Sequence, residues 1–257
     1  NITMSKCCLT VLNNLAKGFS EGTASTYDAT LKDRAPFTVR NALGIPVRVH
    51  TCRSLQVVGF PKRDTSLHEL GLDQSLELEY ATSESLDRRR VSILRRQDSS
   101  LLTLSFGPEG YSEVSAVPVA KPGRRLHGVR APQSSSSNSV VVQIDAEEGN
   151  KVITLRSPLQ IKNHFSVPFI IYKFVKDIKQ LKPLGVSLPE EEFHVPLDSY
   201  RCQLYVQPTG ILKGQYEPST TYISWQEELH RSSEVISMLQ CPATDISFLP
   251  LLLKATA

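Results

Sequence analysis

From residue 35 onwards, apolar and polar side chains alternate along most of the chain. Phe37 and Val39 alternate with Thr38 and Arg40, and this period of two recurs further on. Such a period is typical of strands that bury one face and expose the other. The turn signal at residues 148–150 predicts a hairpin. The pattern predicts strands within residues 37–43, 76–80, 102–106, 140–144, 152–155, 159–163, 169–174, 200–206 and 222–225.

One stretch near the start follows a helical period instead. Cys8, Leu12, Leu15 and Phe19 recur at spacings that place them on one face of a helix. The sequence therefore predicts a short amphipathic helix over residues 4–20. The segment that follows contains few large apolar side chains, so we expect a linker between the helix and the first strand.

A stretch of the chain occurs twice, as APFTVRNALGIPVRV at residues 35–49 and as SPLQIKNHFSVPFII at residues 157–171. Tandem repeats indicate an array of modules, and such arrays usually bind partners on extended surfaces. The identical residues, at an offset of 122, are Pro36, Asn41 and Pro46 in the first copy and Pro158, Asn163 and Pro168 in the second.

The repeat and the strand pattern together predict the fold class. We expect an all-β protein of two tandem β-sandwich-like repeat modules, preceded by one short amphipathic helix. The predicted divisions are an N-terminal helix and linker at residues 1–34, a first β module at 35–150, and a second, C-terminally truncated β module at 151–257. We also expect the two repeated stretches to form similar hairpins with matched flanking strands.

Asn41 and Asn163 occupy the same position in the two copies and share strand parity with large apolar residues. Regular alternation would point both side chains into the core. A buried primary amide left unpaired costs on the order of 1–3 kcal/mol. We therefore expect each asparagine to bond the backbone of the turn that follows it. Direct contact with a ligand is the alternative role for these two residues.

Charge gives a second candidate surface. The net charge is only +3, which is too small to indicate a nucleic-acid partner. The arginines, however, cluster in runs within the first module, and such runs can contact anionic lipid headgroups. The alternative function is therefore an anionic-lipid or phosphoinositide-binding β module. The residues predicted to make this contact are Arg88, Arg89, Arg90, Arg95 and Arg96.

No sequence motif predicts an enzyme. The chain lacks G-x-S-x-G, H-E-x-x-H and glycine-rich phosphate-binding patterns, and its six histidines form no i, i+4 pair. The five cysteines have no zinc-ligand spacing and indicate reduced core thiols in a cytosolic protein. We expect no catalytic residues, no cofactor and no metal site. Residues 132–139 are rich in serine and predict a flexible loop.

The two Pro-x-x-x-x-Asn stretches, with Asn41 and Asn163 as the hallmark residues, resemble the adaptor-binding repeats of the vacuolar protein sorting thirteen family. Members of that family are bridge-like lipid-transfer proteins. The resemblance extends over residues 1–257, and within the family it is strongest to the D paralogue. It implies that the chain holds the first two modules of an array of β repeats.

The resemblance also implies a function. The repeats would be a non-catalytic scaffold that helps to localise a lipid-transfer bridge to organelle contact sites. Organelle adaptor proteins would dock through proline-containing peptide motifs, and the membrane surface would be a second partner. The protein would be cytoplasmic and peripheral at the membrane. In the family, peptide docking is associated with the last modules, so the resemblance does not extend it to these two.

Overall fold

The computed structural model describes residues 35–59, 67–81, 102–132, 137–147, 150–225 and 235–256. The all-β prediction is confirmed for this part of the chain. Its regular elements are seventeen strands and one short 3-10 helix at Gly210–Leu212. The helix predicted over residues 4–20 and the linker after it lie outside the described residues.

The first copy of the repeat lies within two sheets. Their orders are β3-β5-β1-β10-β9-β8 and β4-β2-β6-β7. β1 and β10 are parallel, and the other pairs in these sheets are antiparallel. The strands are β1 (Phe37–Ala42), β2 (Val47–Thr51), β3 (Leu55–Val57), β4 (Leu67–Leu70), β5 (Ser75–Tyr80), β6 (Thr103–Pro108), β7 (Val114–Pro118), β8 (Gly123–Arg130), β9 (Ser137–Glu147) and β10 (Asn150–Arg156).

The second copy lies within three smaller sheets, all antiparallel. Their orders are β13-β12-β15, β11-β14 and β16-β17. The strands are β11 (Gln160–Lys162), β12 (Phe169–Val175), β13 (Gln180–Ser187), β14 (Glu192–His194), β15 (Leu204–Pro208), β16 (Ile236–Cys241) and β17 (Leu251–Thr256).

Strand register repeats between the two copies as the sequence does. Val47 of β2 lies opposite Pro108, and Phe169, which is 122 residues further on, lies opposite Pro208. Just before these strands, the carbonyl of Pro46 accepts a hydrogen bond from the next residue after β6, at 2.9 Å. The carbonyl of Pro168 accepts the corresponding bond after β15, also at 2.9 Å. The repeat is therefore a repeat of strand pairing as well as of residues.

The hairpins predicted at the repeated stretches are wrong. β1 and β2 belong to different sheets, and so do β11 and β12. In both copies the chain crosses from one sheet to another, which makes each turn a β-arch. A hairpin would need backbone N–H groups on both strands, but Pro46 and Pro168 have none where the second strand begins. We call these turns the Asn41 arch (residues 41–46) and the Asn163 arch (residues 163–168).

The hairpin predicted at residues 148–150 is confirmed, because β9 and β10 are antiparallel neighbours around it. β10 also pairs with β1, so the sheet of the first copy continues to Arg156. The predicted serine-rich loop at residues 132–139 extends too far. Residues 137–139 already belong to β9, because they pair with the last residues of β8. The division into modules at 35–150 and 151–257 stays a proposal.

Residues 36–257 form one compact unit. Its larger core lies between the sheets of the first copy, and residues of the second copy complete it. Leu197 and Tyr200 are buried in this core together with Phe37 and Val49. A smaller core belongs to the second copy and consists of Phe169, Ile171, Val206, Leu239, Cys241 and Leu253.

Burial should protect one cysteine of the smaller core from alkylation. Cys241 is fully buried, and burial raises the pKa of its thiol to about 11. Because the thiolate is the reactive species, Cys241 should react with iodoacetamide at pH 8 much more slowly than the half-buried Cys52 and Cys202. Site-resolved mass spectrometry of a labelling time course measures this. Equal rates at the three sites would contradict the packing described above.

Candidate functional site

Asn41 is fully buried at the end of β1, and backbone groups surround its side-chain amide. Its Nδ2 donates to the carbonyls of Ile45 at 2.9 Å, Leu70 at 3.2 Å and Gly71 at 2.9 Å. Its Oδ1 accepts a hydrogen bond from the backbone N–H of Leu43 at 3.0 Å. The amide thus bonds both its own arch and the end of β4.

Asn163 repeats this geometry in the second copy, with an exposed fraction of 4%. Its Nδ2 donates to the carbonyls of Val167 at 2.8 Å and Ser187 at 3.2 Å. Its Oδ1 accepts from the backbone N–H of Phe165 at 2.9 Å. In both copies the bonded arch residues are therefore two and four positions after the asparagine.

The third partner of each asparagine is also equivalent. Leu70 ends β4 and lies opposite Val47, the first residue of β2. Ser187 ends β13 and lies opposite Phe169, the first residue of β12. Each amide therefore ties the strand before the arch to an antiparallel neighbour of the strand after it. The hydrogen bonds of each asparagine are those of a structural brace. That the two asparagines also support adaptor binding stays a prediction.

The Asn41 arch is covered by residues 195–200 of the second copy. The backbone N–H of Leu197 donates to the carbonyl of Leu43 at 2.8 Å. Pro196 packs against Gly44, where a Cβ atom would lie only 2.7 Å from the proline ring. Gly44 also has a φ of +70°, which favours glycine. This arch is therefore a junction between the two copies.

An open cleft of about 400 Å³ lies beside the Asn163 arch, and we call it the β11–β17 cleft. Residues of β11 line one side and residues of β17 the other. In the first copy β1, the equivalent of β11, pairs directly with β10. Among the described residues, β11 pairs only with β14 and β17 only with β16. The apolar wall includes Ile161, Phe169, Ile171, Leu239 and Leu253.

Polar side chains also line this cleft, among them those of Gln160, Ser224 and Ser237. The lysine and histidine side chains that line it are Lys162, His164 and Lys254, and all three are exposed. His164 Nδ1 lies 3.6 Å from a carboxylate oxygen of Glu190 at the margin. The Oγ of Ser187 is buried in the wall and has no hydrogen-bond partner among the described residues. The cleft thus combines an apolar wall with polar and basic side chains.

The structure does not bring the two predicted asparagines together in one site. Asn41 and Asn163 belong to different arches, one covered and one open. Arg88, Arg89, Arg90, Arg95 and Arg96 lie outside the described residues. Sequence reasoning missed the covering segment at 195–200 and the cleft itself. The cleft leaves no local sequence signal, because it arises where two distant strands fail to pair.

Residues 83–249 match the family described as vacuolar-sorting associated protein 13, adaptor binding domain. The chain belongs to this family. The family resemblance predicted from the two asparagine stretches is thus confirmed. The Asn163 arch lies within the matched residues.

Three relatives are intermembrane lipid transfer proteins. Over all 257 residues, the chain is 64% identical to VPS13C of Mus musculus and 63% identical to VPS13C of Homo sapiens. Over 208 residues, or 81% of the chain, it is 38% identical to VPS13A of Mus musculus. The chain spans 7%, 7% and 6% of these proteins. The predicted similarity to the D paralogue was wrong, since these identities favour C.

Substitution of the bracing asparagine should destabilise the domain. In Asn163→Ser the side chain is too short to reach the carbonyls of Val167 and Ser187, and in Asn163→Leu it cannot bond them. Each change should cost on the order of 1–3 kcal/mol in the free energy of unfolding, and Asn41→Ser should behave alike. Urea unfolding measures this cost.

A matched control is Asn150→Ser, because the side chain of Asn150 makes no hydrogen bond among the described residues. We expect its unfolding free energy to stay within about 0.5 kcal/mol of the parent value. If Asn163→Ser were as stable as this control, the bracing role would be wrong. Direct ligand contact would then be the remaining role for the asparagine.

Proposed function

We propose that this domain is a non-catalytic, adaptor-binding part of a lipid-transfer protein and that it helps to localise that protein at organelle contact sites. The family match supports an adaptor-binding role, and the relatives named above are intermembrane lipid transfer proteins. The observation that carries the proposal is the β11–β17 cleft. Its walls offer an adaptor a binding surface that the first copy does not.

The cleft suits an extended peptide segment. Strands at a sheet edge present backbone N–H and C=O groups that another extended backbone can satisfy. By analogy with β1 and β10, which are parallel, we propose that β17 runs in the same direction as β11. A segment between them can then pair antiparallel with both strands. Its alternate side chains would pack on Ile161, Leu239 and Leu253.

We place a proline in this segment, as the family resemblance implies. The first copy provides an internal precedent, because Pro196 lies against the Asn41 arch between two buried apolar residues. Proline favours extended backbone and donates no hydrogen bond, so it fits where an edge is only partly paired. Ser166 stands where the first arch has Gly44, and its Cβ would collide with a ring placed as in the first copy. The segment therefore lies in the cleft beside the arch.

Asn163 supports the cleft instead of binding the peptide. It forms part of the wall, but its Nδ2 and Oδ1 are already bonded to backbone groups. Other lining side chains, such as those of Ser224 and Ser237, offer polar contacts to a bound segment. The asparagine thus acts indirectly, by holding the arch and the end of β13 in place.

Localisation would follow from the adaptor. None of the helices in the described part of the chain is long and apolar enough to cross a membrane. We propose that an adaptor anchored on an organelle binds the cleft and brings the lipid-transfer protein to the cytoplasmic face of that organelle. The proposed binding of an adaptor requires no cofactor and no nucleic acid.

Filling the cleft should abolish peptide binding without unfolding the domain. Ser237 is a half-buried residue of β16 that lines the cleft, so Ser237→Trp would occupy the space of a bound side chain. Ser247→Trp is the matched control, since Ser247 is exposed and outside the cleft. The probes are labelled proline-containing peptides from cytoplasmic tails of organelle membrane proteins, and fluorescence polarisation measures their affinity.

We expect peptides that bind the parent domain to bind Ser237→Trp at least about tenfold more weakly, a loss of roughly 1.4 kcal/mol. The Ser247→Trp control should bind as the parent does. Equal affinity for both variants would place the peptide elsewhere on the domain. Absence of binding to any peptide of the set would contradict direct recognition by these two repeats.

A further inference from the structure

A second cavity, of about 270 Å³, shares no lining residue with the β11–β17 cleft. None of the described residues that line it is acidic. Its Arg125 donates to the carbonyl of Pro118 and is therefore already engaged. Its walls combine arginine and apolar side chains, mainly Arg124, Arg156, Leu126, Pro158 and Trp225.

Strand register places this cavity on the outer face of the six-stranded sheet. Both neighbours of Val141 in β9 are fully buried in the core, so Val141 points to the opposite face. Arg156 of β10 lies opposite Val141, and Leu126 of β8 lies opposite it on the other side. Arg124, two residues before Leu126, shares this face. Arg124 and Arg156 thus share this face of the sheet with the apolar side chains of Leu126 and Val141.

Arg156 is a buried cation without a carboxylate in contact. Its exposed fraction is 5%. Its Nε donates to the Oε1 of Gln143 at 3.0 Å and one terminal nitrogen donates to the carbonyl of Ser157 at 3.0 Å. A guanidinium carries five N–H donors, so the others lack an acceptor among the described residues. Within those residues no carboxylate forms an ion pair with it. Such a buried charge is costly unless it is compensated.

The surrounding charges leave the cavity positive. Burial lowers the pKa of Arg156 and Arg124 lowers it further, whereas Glu192 and Asp145 act in the opposite direction. Neither acid forms an ion pair with Arg156, and each accepts a hydrogen bond from a glutamine. The carboxylate of Asp145 accepts a hydrogen bond from Gln143 at 2.8 Å, and that of Glu192 accepts one from a glutamine of β11 at 3.1 Å. Neither lines the cavity.

We propose that this cavity binds a phosphate group, with Arg156 at its base and Arg124 at its mouth. The planar fork of arginine matches the oxygens of a phosphate, and two such cations suit its double charge. The apolar wall with Trp225 then packs against the carrier of the phosphate. A soluble inositol phosphate and a phosphoinositide headgroup present the same group, so this chemistry includes both.

The single tryptophan of the chain makes the proposal directly testable. Trp225 is the only tryptophan and lines the cavity, so its fluorescence reports on this site. Inositol trisphosphate and inorganic phosphate are titrated against the domain at constant ionic strength, with chloride as the control anion. We expect a saturable fluorescence change with the phosphate probes alone.

Variants test which residues hold the group. Arg124→Gln removes an exposed cation, so it should fold normally and weaken binding about tenfold. Arg156→Lys keeps the charge but loses the fork, and it should also weaken binding. Arg130→Gln is the matched control, because Arg130 is exposed on the same strand outside the cavity. Circular dichroism of each variant verifies the fold.

A second arm identifies the source of the phosphate. Sedimentation with phosphoinositide vesicles, but not with phosphatidylcholine vesicles, and its loss in Arg124→Gln would assign a lipid headgroup. Binding of inositol trisphosphate without sedimentation would assign a soluble ligand. No fluorescence change with any phosphate probe would overturn the proposal. An equal response of Arg124→Gln, Arg156→Lys and Arg130→Gln would overturn it as well.

Discussion

The side-chain amide of one asparagine in each copy holds the chain where it passes from one sheet to the next. At such an arch the backbone leaves the ladder of one sheet before it joins another, and the proline that follows has no N–H to contribute. Asn41 and Asn163 bond the carbonyl four residues on and the N–H two residues on. The same amide reaches the end of the neighbouring strand, so one residue positions three backbone segments.

The two copies place this brace in different surroundings. Around Asn41, β1 pairs with β10 in one sheet, and residues 195–200 cover the arch. Around Asn163, β11 and β17 do not pair among the described residues, and a cleft stays open between them. The same local geometry thus lies at a junction between the two copies at the Asn41 arch. At the Asn163 arch, in our proposal, it borders a recognition surface. This difference explains how equivalent asparagines can share a structural role while only one adjoins the proposed binding site.

Much of the fold follows from local patterns. The positions of eight of the seventeen strands, the hairpin of β9 and β10, and the inward direction of both asparagines follow from the alternation of neighbouring residues. The strand predicted within residues 222–225 was wrong, since only an isolated bridge at Ile223 forms there. The arches could not be predicted, because strand parity is the same whether the next strand pairs or crosses over. The parallel pairing of β1 with β10 joins residues more than a hundred positions apart, and the cleft is a missing pairing of the same kind. The short asparagine stretch identified the family, but it carries too few residues to separate paralogues.

Amide hydrogen exchange of Leu43 and Phe165 tests the bracing role most directly. Each of these N–H groups donates to the Oδ1 of the asparagine two residues before it. If the amide holds the arch, both should exchange as slowly as the flanking strand residues, because opening them requires the arch to open. Asn163→Asp keeps an acceptor for Phe165 but loses the donors to Val167 and Ser187, so exchange at Phe165 should accelerate while Leu43 stays protected. Fast exchange of Phe165 in the unaltered domain, at the rate of an open turn, would contradict the account.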